Sequence, residues 1–314
     1  MAHYLITGGA GFIGSNLAAA LVAQGERVRV LDDFSTGRES NLRALEGKIE
    51  LVRGTITDAA TVDAAVTSVD YVLHQAARAS VPRSVEQPVE CDLVNVHGTA
   101  LVLDAARRHG VKRVVFAASS SAYGETPTLP KVETMLPSPL SPYAVSKLAA
   151  EHYCRVFHIC YGLETVALRY FNVFGPRQDP KSQYAAVIPN FITTALAGGH
   201  PSIYGDGEQS RDFCYIENCV EANLKACTAP GAAGQVFNVA CGERTTLLEV
   251  VNQLSEIVGR KLVPKHLPPR AGDIKHSLAD ISRAREVLGY QGRVGFVEGL
   301  RRTVDWYRSS STNA

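Results

Sequence analysis

No apolar run in this sequence is long enough to span a bilayer, because polar residues break the longest stretches well before ~18 positions. Charge of one sign is also missing. Lys and Arg number 32 against 31 Asp and Glu, with no long single-sign run, so the lopsided pattern of a nucleic-acid or membrane-surface binder is excluded. The first residues, Met-Ala-His-Tyr-Leu-Ile-Thr, pass straight into a strand-like run, and no signal peptide is read. Seven cysteines (Cys91, Cys154, Cys160, Cys214, Cys219, Cys227, Cys241) form no Cys-x-x-Cys pair, and no His stands at zinc-finger spacing. Reduced, mostly buried thiols in a cytoplasmic protein are expected, with no metal site. Internal repeats are absent, and the low-complexity tail Ser309 to Thr312 is expected to fray. What the chain does have is core: 46% of its 314 residues are hydrophobic, enough for about two domains of roughly 150 residues each.

Short β-branched runs alternate with helical patterns through the first half. Strands are expected at Tyr4 to Thr7, Arg27 to Leu31, Ile49 to Arg53, Tyr71 to His74, Arg113 to Ala117 and Thr165 to Arg169. Helices are expected at Phe12 to Gln24, Ala59 to Thr67, Asp92 to His109 and Tyr143 to Tyr161. Strands joined by helical crossovers imply an α/β, doubly wound parallel sheet whose ligand crevice lies at the carboxyl ends of its strands. After about Phe171 the pattern loosens into Pro- and Gly-rich stretches and shorter helices. Residues 1–171 are therefore read as a dinucleotide-binding domain and 172–314 as a smaller substrate domain. A segment near 212–241 is expected to return to the main sheet, since Gln235 to Ala240 reads as one more buried strand.

Thr7-Gly8-Gly9-Ala10-Gly11-Phe12-Ile13-Gly14 follows the first strand and opens a helix. Glycines at this spacing permit a tight turn, close approach of backbone to a pyrophosphate and close helix-on-strand packing, while the helix N-terminus supplies free N–H groups. Asp32, 24 residues beyond Gly8, ends the next strand, where a carboxylate accepts hydrogen bonds from a ribose diol and repels a 2′-phosphate. NAD is thereby favoured over NADP. Asp33 beside it reads as the start of a turn.

Ser141-Pro142-Tyr143-Ala144-Val145-Ser146-Lys147 begins a helix, with Ser141 as N-cap and Pro142 at the first helical position. Tyr143 and Lys147 lie four apart on one face. A phenol is a poor base at neutral pH, but an adjacent ammonium and a nicotinamide cation favour phenolate, so the pair can move a proton while NAD takes a hydride. Taken alone, Tyr-x-x-x-Lys also describes a packed aromatic beside a solvated lysine; the glycine loop in the same chain is what gives it weight. Upstream, Ser119, Ser120 and Ser121 follow the fifth strand and place hydroxyls at its carboxyl end, either to share the proton of Tyr143 or to satisfy one another in a turn.

The glycine loop, the Ser-rich turn, Tyr-x-x-x-Lys and Arg169-Tyr170-Phe171-Asn172-Val173-Phe174-Gly175 together resemble the extended short-chain dehydrogenase/reductases, which carry a Rossmann sheet. Within them the chain is most similar to the nucleotide-sugar 4-epimerases, over nearly its whole length. The resemblance implies cofactor contacts from Gly8, Gly11, Phe12, Ile13 and Gly14 at the pyrophosphate, Asp32 at the ribose, and Gln75, Ala76 and Ala77 after the fourth strand. Asn95, Ser119, Tyr143, Lys147 and Phe171 are implied on the nicotinamide side. Thr55, next to Ile56, stands where the family has an Asp at the adenine, and a hydroxyl replaces that contact in part.

For a UDP-sugar substrate, the resemblance implies Asn172, Ala186, Val187, Tyr204, Ser120 and Ser121 as contacts, Arg211 and Arg270 as clamps on the diphosphate, and Asp273 as the uridine ribose acceptor. Ser277 occupies the position where epimerases limited to UDP-glucose and UDP-galactose carry a bulky aromatic, and a small residue there admits an N-acetylated sugar. Ser80-Val81-Pro82-Arg83-Ser84, Tyr184 to Pro189 and Arg211 to Asn218 resemble a UDP-N-acetylglucosamine 4-epimerase branch from bacterial surface-polysaccharide pathways, with Ser80 and Arg83 facing the sugar. A homodimer built on the helices Asp92 to His109 and Tyr143 to Tyr161 is implied as well. Three other readings stand beside this one: a UDP-uronic acid 4-epimerase, a lyase of the same fold, and an NAD-sensing regulator without activity. Ser120 and Ser121 replace the Asp-Glu pair that the dehydratases need, which disfavours a lyase.

Overall fold

In the computed structural model, residues 1–180, 187–269 and 275–312 are described. The first half lays down six strands, β1 (His3–Thr7), β2 (Arg27–Asp32), β3 (Glu50–Arg53), β4 (Tyr71–His74), β5 (Arg113–Ser119) and β6 (Thr165–Tyr170). Between them run α1 (Phe12–Ala23), α2 (Ala59–Val66), α3 (Val81–Glu86), α4 (Pro88–Asp92), α5 (Gly98–Arg108) and α6 (Pro142–Tyr161). Central strands such as β5 and β6 are covered on both faces, and their sequences are accordingly almost continuously apolar.

The second half contributes β7 (Val173–Phe174), α7 (Val187–Leu196), β8 (Ser202–Tyr204), β9 (Ser210–Arg211), β10 (Cys214–Tyr215), α8 (Ile216–Thr228), β11 (Gln235–Val239), β12 (Thr245–Thr246), α9 (Leu247–Val258), β13 (Lys265–Leu267) and α10 (Phe296–Thr312). As expected from its buried apolar run, β11 joins the main sheet, whose order is β11-β6-β5-β4-β1-β2-β3 with every pairing parallel. The chain winds outward from β1 through β2 to β3, then crosses back to β4 and winds the other way. The reversal between β1 and β4 opens a crevice at the strands' carboxyl ends.

Local chemistry explains the helix boundaries. Asp58 caps α2 by accepting the Thr61 N–H at 3.2 Å, and Ser141 caps α6 by accepting the Ala144 N–H at 3.1 Å, with Pro142 in the first turn and Gly162 closing the last at φ 71°. The single helix expected over Asp92 to His109 is instead interrupted by a π-turn at Leu93–His97 before α5. At its centre Asn95 is pulled into hydrogen bonds with the Arg78 main chain, accepting from its N–H at 2.7 Å and donating to its carbonyl at 3.2 Å.

The second half does not stand apart from the sheet. One apolar core runs from Ile6 and Leu17 through Phe174, Phe213 and Tyr215 to Leu254 and Leu300. Phe174 is its hinge, with ring centroids of Phe213, Tyr215 and Phe296 at 6.1, 5.7 and 5.6 Å. Helix α8 packs on α1, β5 and β6, so the returning segment reaches the sheet as helix as well as strand.

Candidate active site

A cleft at the sheet's switch point is lined by Gly8, Gly11, Phe12, Ile13, Gly14, Asp32, Thr55, Ile56, Gln75, Ala76, Ala77, Tyr143 and Lys147. Gly8 sits at φ +69°, and a Cβ there would lie 2.7 Å from the Ala76 nitrogen, while one at Gly14 would overlap the Gly8 carbonyl. Only glycine lets α1 begin this close to β1 and β4. Gly11 caps α1 without a side-chain hydrogen bond, and no acidic residue lies in its first turn. The N-terminal N–H groups thus face the cleft uncompensated, as a pyrophosphate requires.

Asp32 is buried at the end of β2, where its carboxylate accepts the N–H of Ala10 and of Phe34, each at 2.8 Å. Burial raises its pKa and those two bonds pull it back down. Each oxygen keeps acceptor capacity for a ribose diol. Asp33, read as the start of a turn, does that: it accepts the N–H and hydroxyl of Ser35 at 2.9 and 2.5 Å. Thr55 lines the cleft, but its hydroxyl is already paired with that of Thr57 at 3.0 Å.

Tyr143 and Lys147 project from the first turns of α6 to the cleft's inner end. Lys147 is buried; its Nζ donates to the Ala117 carbonyl at 2.8 Å and sits 4.8 Å from the Phe116 ring centroid. Burial pushes this ammonium down to about 8. Burial also raises the Tyr143 phenol, while a hydrogen bond with the Ser119 hydroxyl lowers it. Ser119 in turn accepts the Ser121 hydroxyl at 2.8 Å and the Ser121 N–H at 3.2 Å. A hydroxyl chain therefore runs Ser121, Ser119, Tyr143, and Ser121 is one serine that satisfies itself within the turn. Ser120 lies in the same 3-10 turn.

A second pocket joins Asn172, Val187, Tyr204 and Arg211 with Phe174, Gln209, Phe213 and Leu247. Asn172 adopts φ +36°, and its side chain donates to the Asp212 carbonyl at 3.0 Å. Arg211 leans on the carbonyls of Ser210 and Lys275 at 3.0 and 3.1 Å. Ser277 is fixed next to it, its N–H donating to the Ser210 carbonyl at 3.0 Å. Ala186, Arg270 and Asp273 lie outside the described residues.

Four expected residues have other employment. The Asn95 side chain is consumed by Arg78, Ser146 and Cys91, and Val94 lines the cleft instead. The Phe171 ring is buried 6.0 Å from that of Tyr123, since strand alternation turns it to the core and leaves Tyr170 in the cleft wall. Ser80 caps α3 through the Arg83 N–H at 3.2 Å, and Arg83 pairs with Gln87 at 3.2 Å and Glu90 at 3.6 Å. Arg78 and Ala79, one turn earlier, occupy the cleft wall. Sequence reasoning also missed Ser84, whose hydroxyl accepts the Tyr143 N–H at 3.1 Å and fixes the start of α6. It closes the Ser80-Val81-Pro82-Arg83-Ser84 motif, of which only Ser80 and Arg83 were read as facing the sugar.

A model of the NAD dependent epimerase/dehydratase family matches residues 4–240. The chain is 41% identical over 311 residues to a UDP-glucose 4-epimerase of Mycolicibacterium smegmatis, covering 98% of this chain and 99% of that one. Among solved structures, a UDP-N-acetylglucosamine 4-epimerase from Methanobrevibacter ruminantium, in complex with UDP-N-acetylmuramic acid, is similar with a TM-score of 0.94, 40% identity and coverage of 98% and 99%. The UDP-glucose 4-epimerase of Thermus thermophilus, complexed with NAD, is similar with a TM-score of 0.88, 38% identity and the same coverage. The uncapped helix N-terminus, the glycine cradle and the buried Asp32 fit that dinucleotide. The chain belongs to the NAD-dependent epimerase/dehydratase family, among its isomerases, and NAD is its cofactor.

Proposed function

We propose that this chain interconverts the 4-epimers of a UDP-hexose, preferring UDP-N-acetylglucosamine and UDP-N-acetylgalactosamine and accepting UDP-glucose. The observation that carries the 4-epimerase reading is the convergence of Tyr143, Lys147 and Ser119 on the inner end of the cofactor cleft. Relatives acting on the plain and on the N-acetylated sugar stand at nearly equal identity, 41% and 40%, so overall similarity does not choose between them. The preference rests on the resemblance that puts Ser277, whose N–H is tied to the Ser210 carbonyl, where a ring would crowd an acetamido group.

Bound NAD supplies a hydride acceptor and donor. The protein's own residues handle the proton and the orientation. Tyr143, as phenolate held by the Lys147 charge and the Ser119 hydroxyl, takes the proton of the sugar 4-hydroxyl and later returns it. Between these events the 4-keto sugar turns in the pocket while Arg211, with Asn172 and Tyr204, holds the UDP portion. Guanidinium suits this task because it binds phosphate oxygens through parallel charge-assisted bonds. In this reading the sheet half carries the cofactor and the C-terminal half the sugar nucleotide. A second copy covers the apolar stripe of Val85, Val89 and Leu93 with Val145, Val156 and Ile159 of α6, all exposed in one chain. The free thiols support a cytoplasmic setting, and no described helix is long and apolar enough to cross a membrane.

The test is incubation of purified protein, without added NAD, with UDP-N-acetylglucosamine, UDP-glucose and their uronic acids, the epimers being resolved by NMR. Faster turnover of the N-acetylated sugars supports the proposal. Turnover of UDP-glucose alone, or of a uronic acid first, removes the substrate assignment and leaves 4-epimerisation. No turnover even with NAD supplied favours a regulator.

A further inference from the structure

Two polar side chains in the cleft wall, Gln75 after β4 and Tyr170 at the end of β6, are tied to one buried residue outside the cleft. Asn223, on α8, is fully buried; its Oδ1 accepts the Tyr170 hydroxyl at 3.0 Å and the Gln75 Nε2–H at 3.2 Å, while its own Nδ2 donates to the Cys219 carbonyl at 2.8 Å. Tyr170 pairs in register with Ser119, so this wall stands at the same end of the cleft as Tyr143 and Lys147.

We propose that Asn223 is a positioning residue that locks Gln75 and Tyr170 into the wall around the nicotinamide and thereby slows NAD release. The inference rests on the cleft being the NAD site. An enzyme that must take a hydride and return it to the same sugar gains from a cofactor that does not leave between turnovers, and a rigid wall lowers the entropy lost on holding it. Tyr170 is half-buried, and burial of its hydroxyl raises the phenol well above the usual value, so it stays a neutral donor. The main chains of Gln75 and Tyr170 are held at the strand ends, but their side chains reach beyond them, with the Tyr170 hydroxyl 3.3 Å from Gln75 Oε1; the shared acceptor on α8 fixes both side chains at once. Asn is suited to this because a single amide accepts two hydrogen bonds at oxygen and anchors itself through nitrogen. The same contact explains why a helix from the C-terminal half packs against β5 and β6 directly behind the cofactor site.

The test follows release of radiolabelled NAD, by filter separation after dilution of the loaded protein into excess unlabelled NAD, for wild type and for Asn223→Ala, Asn223→Asp, Tyr170→Phe and Asp32→Ala. Asn223→Ala is expected to release NAD roughly tenfold faster or more, as the loss of two neutral hydrogen bonds implies. Its apparent KM for NAD should rise more than its kcat falls. Asn223→Asp keeps the shared acceptor but loses the anchor to the Cys219 carbonyl, so it should retain NAD better than Asn223→Ala and less well than wild type, and Tyr170→Phe, which preserves the ring, should show an intermediate loss even if Asn223→Ala folds poorly. Wild-type release rates in both Asn223→Ala and Tyr170→Phe, with Asp32→Ala impaired, overturn the inference alone. If Asp32→Ala also holds NAD like wild type, the cleft assignment itself fails.

Discussion

The Lys147 ammonium donates to the carbonyl of Ala117 at 2.8 Å, which pins the start of α6 to the end of β5. The base and the lysine are thereby fixed relative to the sheet, and with it to the cofactor cradle built from β1, β2 and β4.

Replacing Tyr143 with Phe removes the phenol hydroxyl and keeps the hydrogen bond that its backbone N–H donates to Ser84. Turnover should fall at least ~100-fold, the lower range for general acid-base catalysis, with NAD content unchanged. Unaltered turnover of UDP-sugars would sink the assignment of this residue.

The pH profile should carry the signature of Lys147. Its folded pKa, about 8, lies below the ordinary lysine value, so the charge is present at neutral pH and is lost as pH rises through about 8. Burial raises the Tyr143 phenol, so phenolate on the acid limb requires the Lys147 charge and the nicotinamide cation to bring it below Lys147. Lys147→Met should abolish the alkaline limb and move the acid limb to higher pH; a profile of unchanged shape in this variant speaks against the pairing.

Asp32 holds two loop N–H groups and offers its remaining lone pairs to the ribose. Asp32→Ala should weaken NAD binding by roughly ten- to hundredfold, in the range of lost charged hydrogen bonds, and should improve NADP relative to NAD. Titration of both cofactors reads the ratio, and a ratio equal to wild type places ribose recognition elsewhere.

Ser277→Tyr should slow the N-acetylated sugars relative to UDP-glucose by roughly ten- to hundredfold, the discrimination expected from forcing an acetamido group against a fixed ring. Competition between the two substrates, followed by NMR, measures this directly. Equal slowing of both would mean that the serine is distant from the sugar's C2 substituent.

Glu151 and Arg169 form a buried pair at 2.9 and 2.6 Å behind the site, with Arg169 stacked 4.6 Å over Tyr123. Glu151→Ala leaves that guanidinium buried and unpaired, at a cost of ~3–5 kcal/mol in unfolding free energy. Urea titration should show the midpoint fall with little change in slope. A midpoint shift under about 1 kcal/mol would indicate that the arginine finds solvent or another partner.

The sheet, its helices and the cofactor cradle were legible because their signals are local. Uninterrupted β-branched runs mark buried strands, and Gly8 and Gly14 mark a turn where a Cβ would collide. Tyr143 and Lys147 were readable for the same reason, four residues apart on a helix begun by Ser141 and Pro142. A motif gives a neighbourhood and not a face: of the adjacent Tyr170 and Phe171 at the end of β6, the first lines the cleft and the ring of the second packs in the core.

By itself the sequence determined the strand and helix pattern, the dinucleotide cradle and the placing of Tyr143 and Lys147 on one helix face, since each depends on spacing within a few residues. Tertiary structure alone decided that Ser80 caps a helix, that Ser84 anchors the catalytic helix, and that Asn223 reaches Gln75 across 148 residues of chain. The reason is physical. A polar side chain takes whichever partner the packed fold brings within about 3 Å, and chain spacing carries no record of that partner when it comes from a distant segment.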